Sequence, residues 1–274
     1  MLDIETKQRF KRAISKSVNP FVSDNRTILT ILNYHSIHPD LPFSTSPSEF
    51  SRQMEYLADN FAMSSLSKVY EMRVELKPLQ ERTAVVTFDD GYEDNYLHAF
   101  PILARLGIKA TIFVTTGFVN GEVDIAQRDK TYADLKALSW EQIFEMKKWG
   151  ILFGSHTHTH PILSKIPLNE ARNEIAHSKK VLEDVIGAPV EHFAYPLGQP
   201  NTFNSSIIEI LKETGFKLAC SALWGNDNKD IGLYKLRRIR IDACDTFDDF
   251  KEKVKGNWEF MRWGQVVKGF FTYA

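Results

Sequence analysis

The sequence has only two cysteines, Cys220 and Cys244, and no C-x-x-C spacing. Neither a disulfide framework nor a cysteine zinc site is signalled, and both residues read as small apolar side chains. An excess of one charge is also missing: 34 Lys+Arg stand against 35 Asp+Glu, a net of −1. Nucleic-acid binding normally needs a basic face, so no nucleic-acid partner is expected. No apolar run approaches the roughly 20 residues that cross a bilayer. The first 27 residues alternate charged and apolar positions and lack the continuous apolar core of a secretory signal. The expectation is an untargeted, cytoplasmic chain with an amino-terminal helical extension, 1–27, ahead of one folded unit, 28–274. On such a helix Phe10, Ile14 and Val18, with basic neighbours, suit peripheral contact with a membrane or a partner. Internal repeats, low-complexity tracts and domain linkers are absent as well.

What remains is ordinary globular composition, 43% hydrophobic and 25% charged. At 274 residues the chain is long enough for an α/β barrel, which fills roughly 200 to 250 residues as one unit. From Thr27 onward, short β-branched or apolar runs alternate with stretches of helical period, the pattern of βα units around a parallel sheet. Strands are expected at 28–33, 84–88, 110–114, 151–154, 192–195, 218–221 and 237–241, enough for a barrel. The intervening helices carry boundary chemistry. Ser46, Pro47 and Glu49 supply a cap, a first-turn proline and a capping-box acid, and Ser139 with Gln142 repeats the box. Asn169 is expected to open a helix whose Ile175, Ser178, Leu182 and Ile186 share a face, with Gly187 at its end. Pro101 should kink its helix or mark the effective start.

Two polar clusters follow expected strands, where barrel enzymes place reactive groups. The first is Thr87-Phe88-Asp89-Asp90-Gly91-Tyr92. Adjacent acids point in different directions, so one can bind a cation while the other handles protons; an Asx-turn before Gly91 is the structural alternative. The second is Gly154-Ser155-His156-Thr157-His158-Thr159-His160-Pro161. Three histidines in five residues are costly to bury without partners, and neutral imidazole is a common ligand for zinc-like metals. Together the clusters offer two imidazoles and a carboxylate, a facial set that leaves coordination positions open for water and substrate.

The ordered motifs TFDDGYEDN, GSHTHTHP and FAYPLG resemble the first three motifs of the polysaccharide deacetylase family, the NodB-homology or carbohydrate esterase 4 group. The resemblance continues through NYHSIHPD, SPSEFSRQMEYL, FPILARLGIKATIFVTTGFV and LSWEQIFEMKKWGILFGSHTH, and spans about 28–241. It implies a distorted (β/α)7 barrel with a metal at the carboxyl ends of its strands. It further implies Asp89 as the catalytic base, Asp90, His156 and His160 as metal ligands, and His158 at a variable position.

The third motif departs from the commonest family pattern, in which an arginine holds the base and a tyrosine supplies a backbone amide to the oxyanion. Ala194 and Leu197 occupy those places in Ala194-Tyr195-Pro196-Leu197-Gly198. A backbone donor at Leu197 survives the exchange because it depends on the chain path rather than the side chain. Arg238 is the candidate to replace the arginine, a surface or salt-bridging role being its alternative. The family's usual acid is a carboxyl-terminal histidine, yet no histidine follows His192. Tyr34-His35 resembles the Tyr-His motif of a circularly permuted branch, that of the exopolysaccharide and poly-N-acetylglucosamine deacetylases, which makes His35 the implied acid.

The reaction so implied removes acetyl groups from an N-acetylated sugar, with zinc as the default cation and cobalt, nickel or manganese compatible with the same donors. Tyr92, Tyr195 and Trp224 are candidate faces for a sugar ring, with core packing as their alternative. Two other readings share the fold: a catalytically silent carbohydrate-binding protein, favoured by the missing arginine, and a deacylase of another amide or ester. An iron oxygenase also uses two histidines and a carboxylate, but the βα alternation argues against it.

Overall fold

The computed structural model describes residues 11–12, 28–41, 44–79, 81–126, 135–226, 228, 231–262 and 265. Seven parallel strands close into a barrel: β1 (Leu29–Tyr34), β3 (Thr83–Phe88), β4 (Ala110–Val114), β5 (Leu152–Ser155), β6 (His192–Ala194), β7 (Leu218–Trp224) and β8 (Leu236–Arg240). Each pairs with the next in the ring, and β1 joins its two ends. It pairs with β3 along its whole length, from Leu29 beside Thr83 to Tyr34 beside Phe88, and with β8 at Leu32 and Asn33. The ring is uneven. β5 and β6 share only the pair Ser155 and Phe193, and the β7–β8 register shifts between Cys220 and Trp224. All seven expected strands occur. A two-residue β2 (Ala62–Met63), too short to leave a sequence signal, adds to the start of β3.

The helices follow in order: α1 (Pro47–Asn60), α2 (Leu66–Val74), α3 (Phe100–Leu106), α4 (Thr116–Val119), α5 (Trp140–Lys148), α6 (Leu168–Ile186), α7 (Ser205–Glu213) and α8 (Phe247–Val254). Ser46 caps α1 by accepting from the Glu49 amide, and Ser139 and Gln142 exchange both bonds of a capping box at α5. A π-helical turn, Asn95–Ala99, leads into α3, where Pro101 stands at the second position and so loses no helical hydrogen bond. α6 opens at Leu168 directly after Pro167, not at Asn169: the proline's fixed φ of −53° sets the entry, and no side chain caps it.

Strand alternation separates two packed regions. Leu29, Ile31, Val85, Phe113, Ala194, Leu218, Cys220 and Leu236 fill the barrel, with Leu66 and Val69 packed against them. The alternate residues, among them Leu32, Val86, Phe88, Ile112, Val114, Phe193 and Ile239, meet the helices. There α6 buries Ile175, Leu182 and Ile186, each contributing about 1.5–3 kcal/mol of transfer free energy. Toward the carboxyl ends of the strands the barrel interior changes from apolar to polar, through Asn33, Thr87, Asp89, His156 and Arg238.

Of the expected amino-terminal extension, only Lys11 and Arg12 are described; both are helical, and Arg12 bonds Asp249 of α8 at 2.6 Å. Phe10, Ile14 and Val18 lie outside the described residues. Among the described residues no helix is long and apolar enough to cross a membrane.

Candidate active site

The polar end of the barrel opens into a cavity of about 1000 Å³ lined by His35, Asp89, Asp90, His156, His160 and Arg238, among others. Asp89 and Asp90 sit immediately after β3. The Asp89 amide donates to the Tyr34 carbonyl at 3.0 Å, which fastens this turn to the end of β1. Asp90 and Gly91 follow with φ of 75° and 83°. Two successive left-handed residues turn the chain sharply, so the adjacent carboxylates leave it in different directions.

Asp89 is 3% exposed and Arg238 is 2% exposed. Arg238 donates from Nη1 to Oδ1 and from Nη2 to Oδ2, both at 2.7 Å. Its Nη1 also reaches Thr87 Oγ1 at 3.2 Å, and its Nε reaches the Ser221 carbonyl at 2.9 Å. Such a buried ion pair is tolerable because the geometry is bidentate and the remaining donors are occupied. Burial alone would raise the Asp89 carboxyl, but the guanidinium, aided by His156 and His35, holds it well below the usual carboxylate range. The candidate Arg238 thus reaches Asp89 from β8.

His156 follows β5, with its amide bonded to the Val114 carbonyl at 2.9 Å. Its Nδ1 lies 2.8 Å from the Ala194 carbonyl. A carbonyl only accepts, so Nδ1 carries the proton and Nε2 presents a lone pair. Burial pushes this imidazole down to about 4, against the pull of Asp89 and Asp90, so it is neutral near pH 7. That lone pair faces Asp90 Oδ1 at 3.5 Å, and His160 Nε2 approaches the same oxygen at 3.4 Å. Two acceptors turned toward each other repel unless a cation lies between them. The spacing fits one: donors held 2.0–2.2 Å from a tetrahedral ion stand roughly 3.3–3.6 Å apart. The donor atoms of all three residues fall within 4.8 Å of one another. Thr157 and His160 adopt φ of 66° and 59°, a left-handed conformation that costs non-glycine residues on the order of 1–3 kcal/mol each.

His158 points elsewhere. Its Nε2 meets Glu122 and its Nδ1 meets Thr116 Oγ1, each at 2.9 Å, and its ring packs edge-on against His177. His35 lines the cavity from the loop after β1. That loop is clamped by two residues the sequence reading did not single out. Asn95 Nδ2 donates to the His35 carbonyl at 2.8 Å and to Asp94 Oδ1 at 2.9 Å, while Ser36 donates to the other Asp94 oxygen. Both stand inside the TFDDGYEDN run, four and five places after Asp90.

Leu197 lines the cavity with φ of 61°, and among the described residues its amide takes no protein acceptor. Its turn depends on Gly198, where a Cβ would lie 2.5 Å from the Ala222 nitrogen. Tyr92 and Trp224 also line the cavity, Tyr92 packed edge-on against Phe118. Tyr195 does not. Its ring is 1% exposed, stacks on Phe203 at 4.0 Å, and donates its hydroxyl to the Tyr234 carbonyl. Strand alternation explains the correction: Ala194 faces the barrel interior, so Tyr195 faces the helices and offers no surface to a sugar.

Residues 77–219 match the family model described as polysaccharide deacetylase. The chain belongs to the polysaccharide deacetylase family. Over 78% of its length it is 31% identical to a putative polysaccharide deacetylase, YxkH, of Bacillus subtilis, covering 71% of that protein. It is 28% identical to the poly-beta-1,6-N-acetyl-D-glucosamine N-deacetylase of Staphylococcus aureus, across 79% of this chain and 72% of the relative. Among solved structures, the Streptococcus pyogenes deacetylase PplD in complex with acetate superposes with a TM-score of 0.72 at 26% identity, over 83% of this chain and 98% of that one. IcaB from Ammonifex degensii gives 0.71 at 25% identity, over 85% and 98%. As a polysaccharide deacetylase of the circularly permuted branch, the chain is a hydrolase of the class acting on non-peptide carbon–nitrogen bonds. Both His35 and Arg238 lie outside the matched segment. They reach its residues because β1 stands between β8 and β3 in the ring.

Proposed function

We propose that this polysaccharide deacetylase is a divalent-metal-dependent N-deacetylase that hydrolyses the acetamide of an N-acetylated sugar, releasing acetate and leaving a free amine. The observation that carries the reading is the convergence of Asp90, His156 and His160 beside an ionised, arginine-held Asp89. The Staphylococcus aureus relative is named for an N-acetylglucosamine polymer, and the Streptococcus pyogenes neighbour holds acetate, the product expected here.

Asp90, His156 and His160 hold the cation, with zinc as the first assignment and cobalt, nickel or manganese compatible with one oxygen and two nitrogen donors. When bound, it supplies Lewis-acid polarisation of the acyl oxygen and makes water acidic enough to ionise near neutral pH. Asp89 accepts the proton of the attacking water. A carboxylate held this far toward its ionised form is a weak base toward bulk water but suits an acidified one, and Arg238 keeps its oxygens aimed. The Leu197 amide donates to the oxyanion as it forms. His35 gives a proton to the departing nitrogen, a task for which imidazole is suited at neutral pH. Tyr92 and Trp224 bound the space where the sugar ring lies. The bond from Arg238 to Asp89 supports an active enzyme over a silent binding protein, the reading that the third motif's missing arginine favoured.

The test is acetate release from N-acetylglucosamine oligomers, with and without a chelator. Metal-dependent release supports the assignment; a metal-loaded protein that binds the oligomers and releases no acetate would overturn it.

A further inference from the structure

The loop that carries two of the three cation donors is held from both sides. From α4, the Thr116 amide donates to the Thr157 carbonyl at 3.3 Å and the Gly117 amide to the His158 carbonyl at 2.8 Å. A Cβ on Gly117 would lie 2.7 Å from that carbonyl, so only glycine allows this approach. From α6 comes one carboxylate. Glu174 Oε2 accepts from the His158 amide at 2.9 Å and the Thr159 amide at 2.8 Å, and Oε1 accepts from Thr159 Oγ1 at 2.7 Å. All three donors point at the same side chain, a demand that only an acceptor-only group meets in full.

The consequence falls on His156 and His160, the residues flanking this tie. With Thr157 and His160 both left-handed, the loop has no regular hydrogen-bond ladder of its own to set its path. Glu174 fixes the peptide planes at 158 and 159. That orientation sends the His158 side chain toward Thr116 and Glu122, and leaves His156 and His160 to meet at Asp90.

We propose that Glu174 is a positioning residue of the metal centre, setting cation affinity through the backbone of the 156–160 loop without touching the cation. The assignment rests on the reading of Asp90, His156 and His160 as cation ligands. Groups that orient metal ligands typically cost 10- to 100-fold in affinity when removed. Glu174→Ala removes all three bonds and leaves two amides without their acceptor. Glu174→Gln keeps one carbonyl oxygen for the two amides but turns a donor toward the Thr159 hydroxyl, so its effect should be smaller.

The experiment measures Co2+ and Zn2+ affinity of the full chain by competition with a chelating dye, alongside the visible Co2+ spectrum and the metal-free melting temperature. Wild type, Glu174→Ala, Glu174→Gln and Arg172→Ala are compared; Arg172 is a control on the same helix, paired at the surface with Glu213. The expected result is about a 10- to 100-fold loss of Co2+ affinity in Glu174→Ala, with an altered spectrum, an intermediate loss in Glu174→Gln, and none in Arg172→Ala. Wild-type affinity in Glu174→Ala, even with a lowered melting temperature, makes Glu174 a structural tie and overturns the proposal. Should Glu174→Ala fail to fold, wild-type affinity in Glu174→Gln does the same. A wild type that binds neither metal overturns the ligand reading, and this assignment with it.

Discussion

Arg238 takes both carboxylate oxygens of Asp89 at 2.7 Å, across 149 positions of sequence and with neither side chain more than 5% exposed. Removing the guanidinium leaves a buried charge without a partner, a change that typically costs about 3–5 kcal/mol. Arg238→Ala should therefore lose stability of that order in urea titrations. The sign of its pH effect follows from the pair. Arg238 holds the Asp89 carboxyl down, so its loss lets the carboxyl rise, and the acid limb of the rate profile should move to higher pH. An acid limb that stays in place would separate Arg238 from the base.

Chelation should abolish acetate release, and added Zn2+ or Co2+ should restore it. Asp89→Asn should remove turnover while metal content, measured by atomic emission, stays near that of the wild type. Asp90→Asn should lose the metal itself. Equal metal content in both variants would reject the division of labour between the two acids.

His35→Ala should lower kcat by roughly 10²–10⁴ on an acetamide, the usual contribution of a positioned acid, with bound metal unchanged. An aryl acetate, whose leaving group needs no proton, should be hydrolysed by the variant at nearly the wild-type rate. Asn95→Ala should fall between the two enzymes on the acetamide, by up to roughly a hundredfold from misplacement of the loop, because Asn95 holds the His35 carbonyl and not its ring. Equal loss of His35→Ala activity on both substrates would remove the acid role.

Burial raises the Asp94 carboxyl to about 7, despite hydrogen bonds from Ser36, Ile37 and Asn95, and the nearby Glu93 adds to the rise. Between about pH 4 and 7 the folded chain therefore keeps a proton that the unfolded chain has released, and stability falls as pH rises through this window. Asp94→Asn removes the effect. Its stability relative to wild type should climb from pH 4 to pH 7, by an amount on the order of a few kcal/mol. His192, pushed down to about 4 by burial, gives the opposite slope but is present in both proteins and cancels in the difference. Parallel curves in chemical denaturation across that range would show that Asp94 does not hold this proton.

The strands are readable because parallel barrel strands are buried on both faces and appear as largely apolar runs, interrupted in β1 and β3 only by threonine and asparagine. β2 gave no such run. The clustered acids and histidines suggest a cation site, and their donors do converge; the gap in the third motif draws attention to Arg238, which meets Asp89. For Tyr195 the sequence left a sugar face and core packing both open, and the two-residue period, which places it behind Ala194, decides for packing. Asn95 and Glu174 left less to read. They act on backbone groups 60 and 15 or 16 positions away, and backbone groups carry no residue identity for a pattern to register.

The place of β1 in the ring has a consequence for biosynthesis. β1 is translated before both strands that flank it, and one of these, β8, follows about 200 residues later. Until then β1 has a single lateral partner, and Asp89 lies in a half-built interior without its counter-charge. A chain that stopped before β8 would thus carry the conspicuous acids and histidines while Asp89 lacked the arginine that holds it.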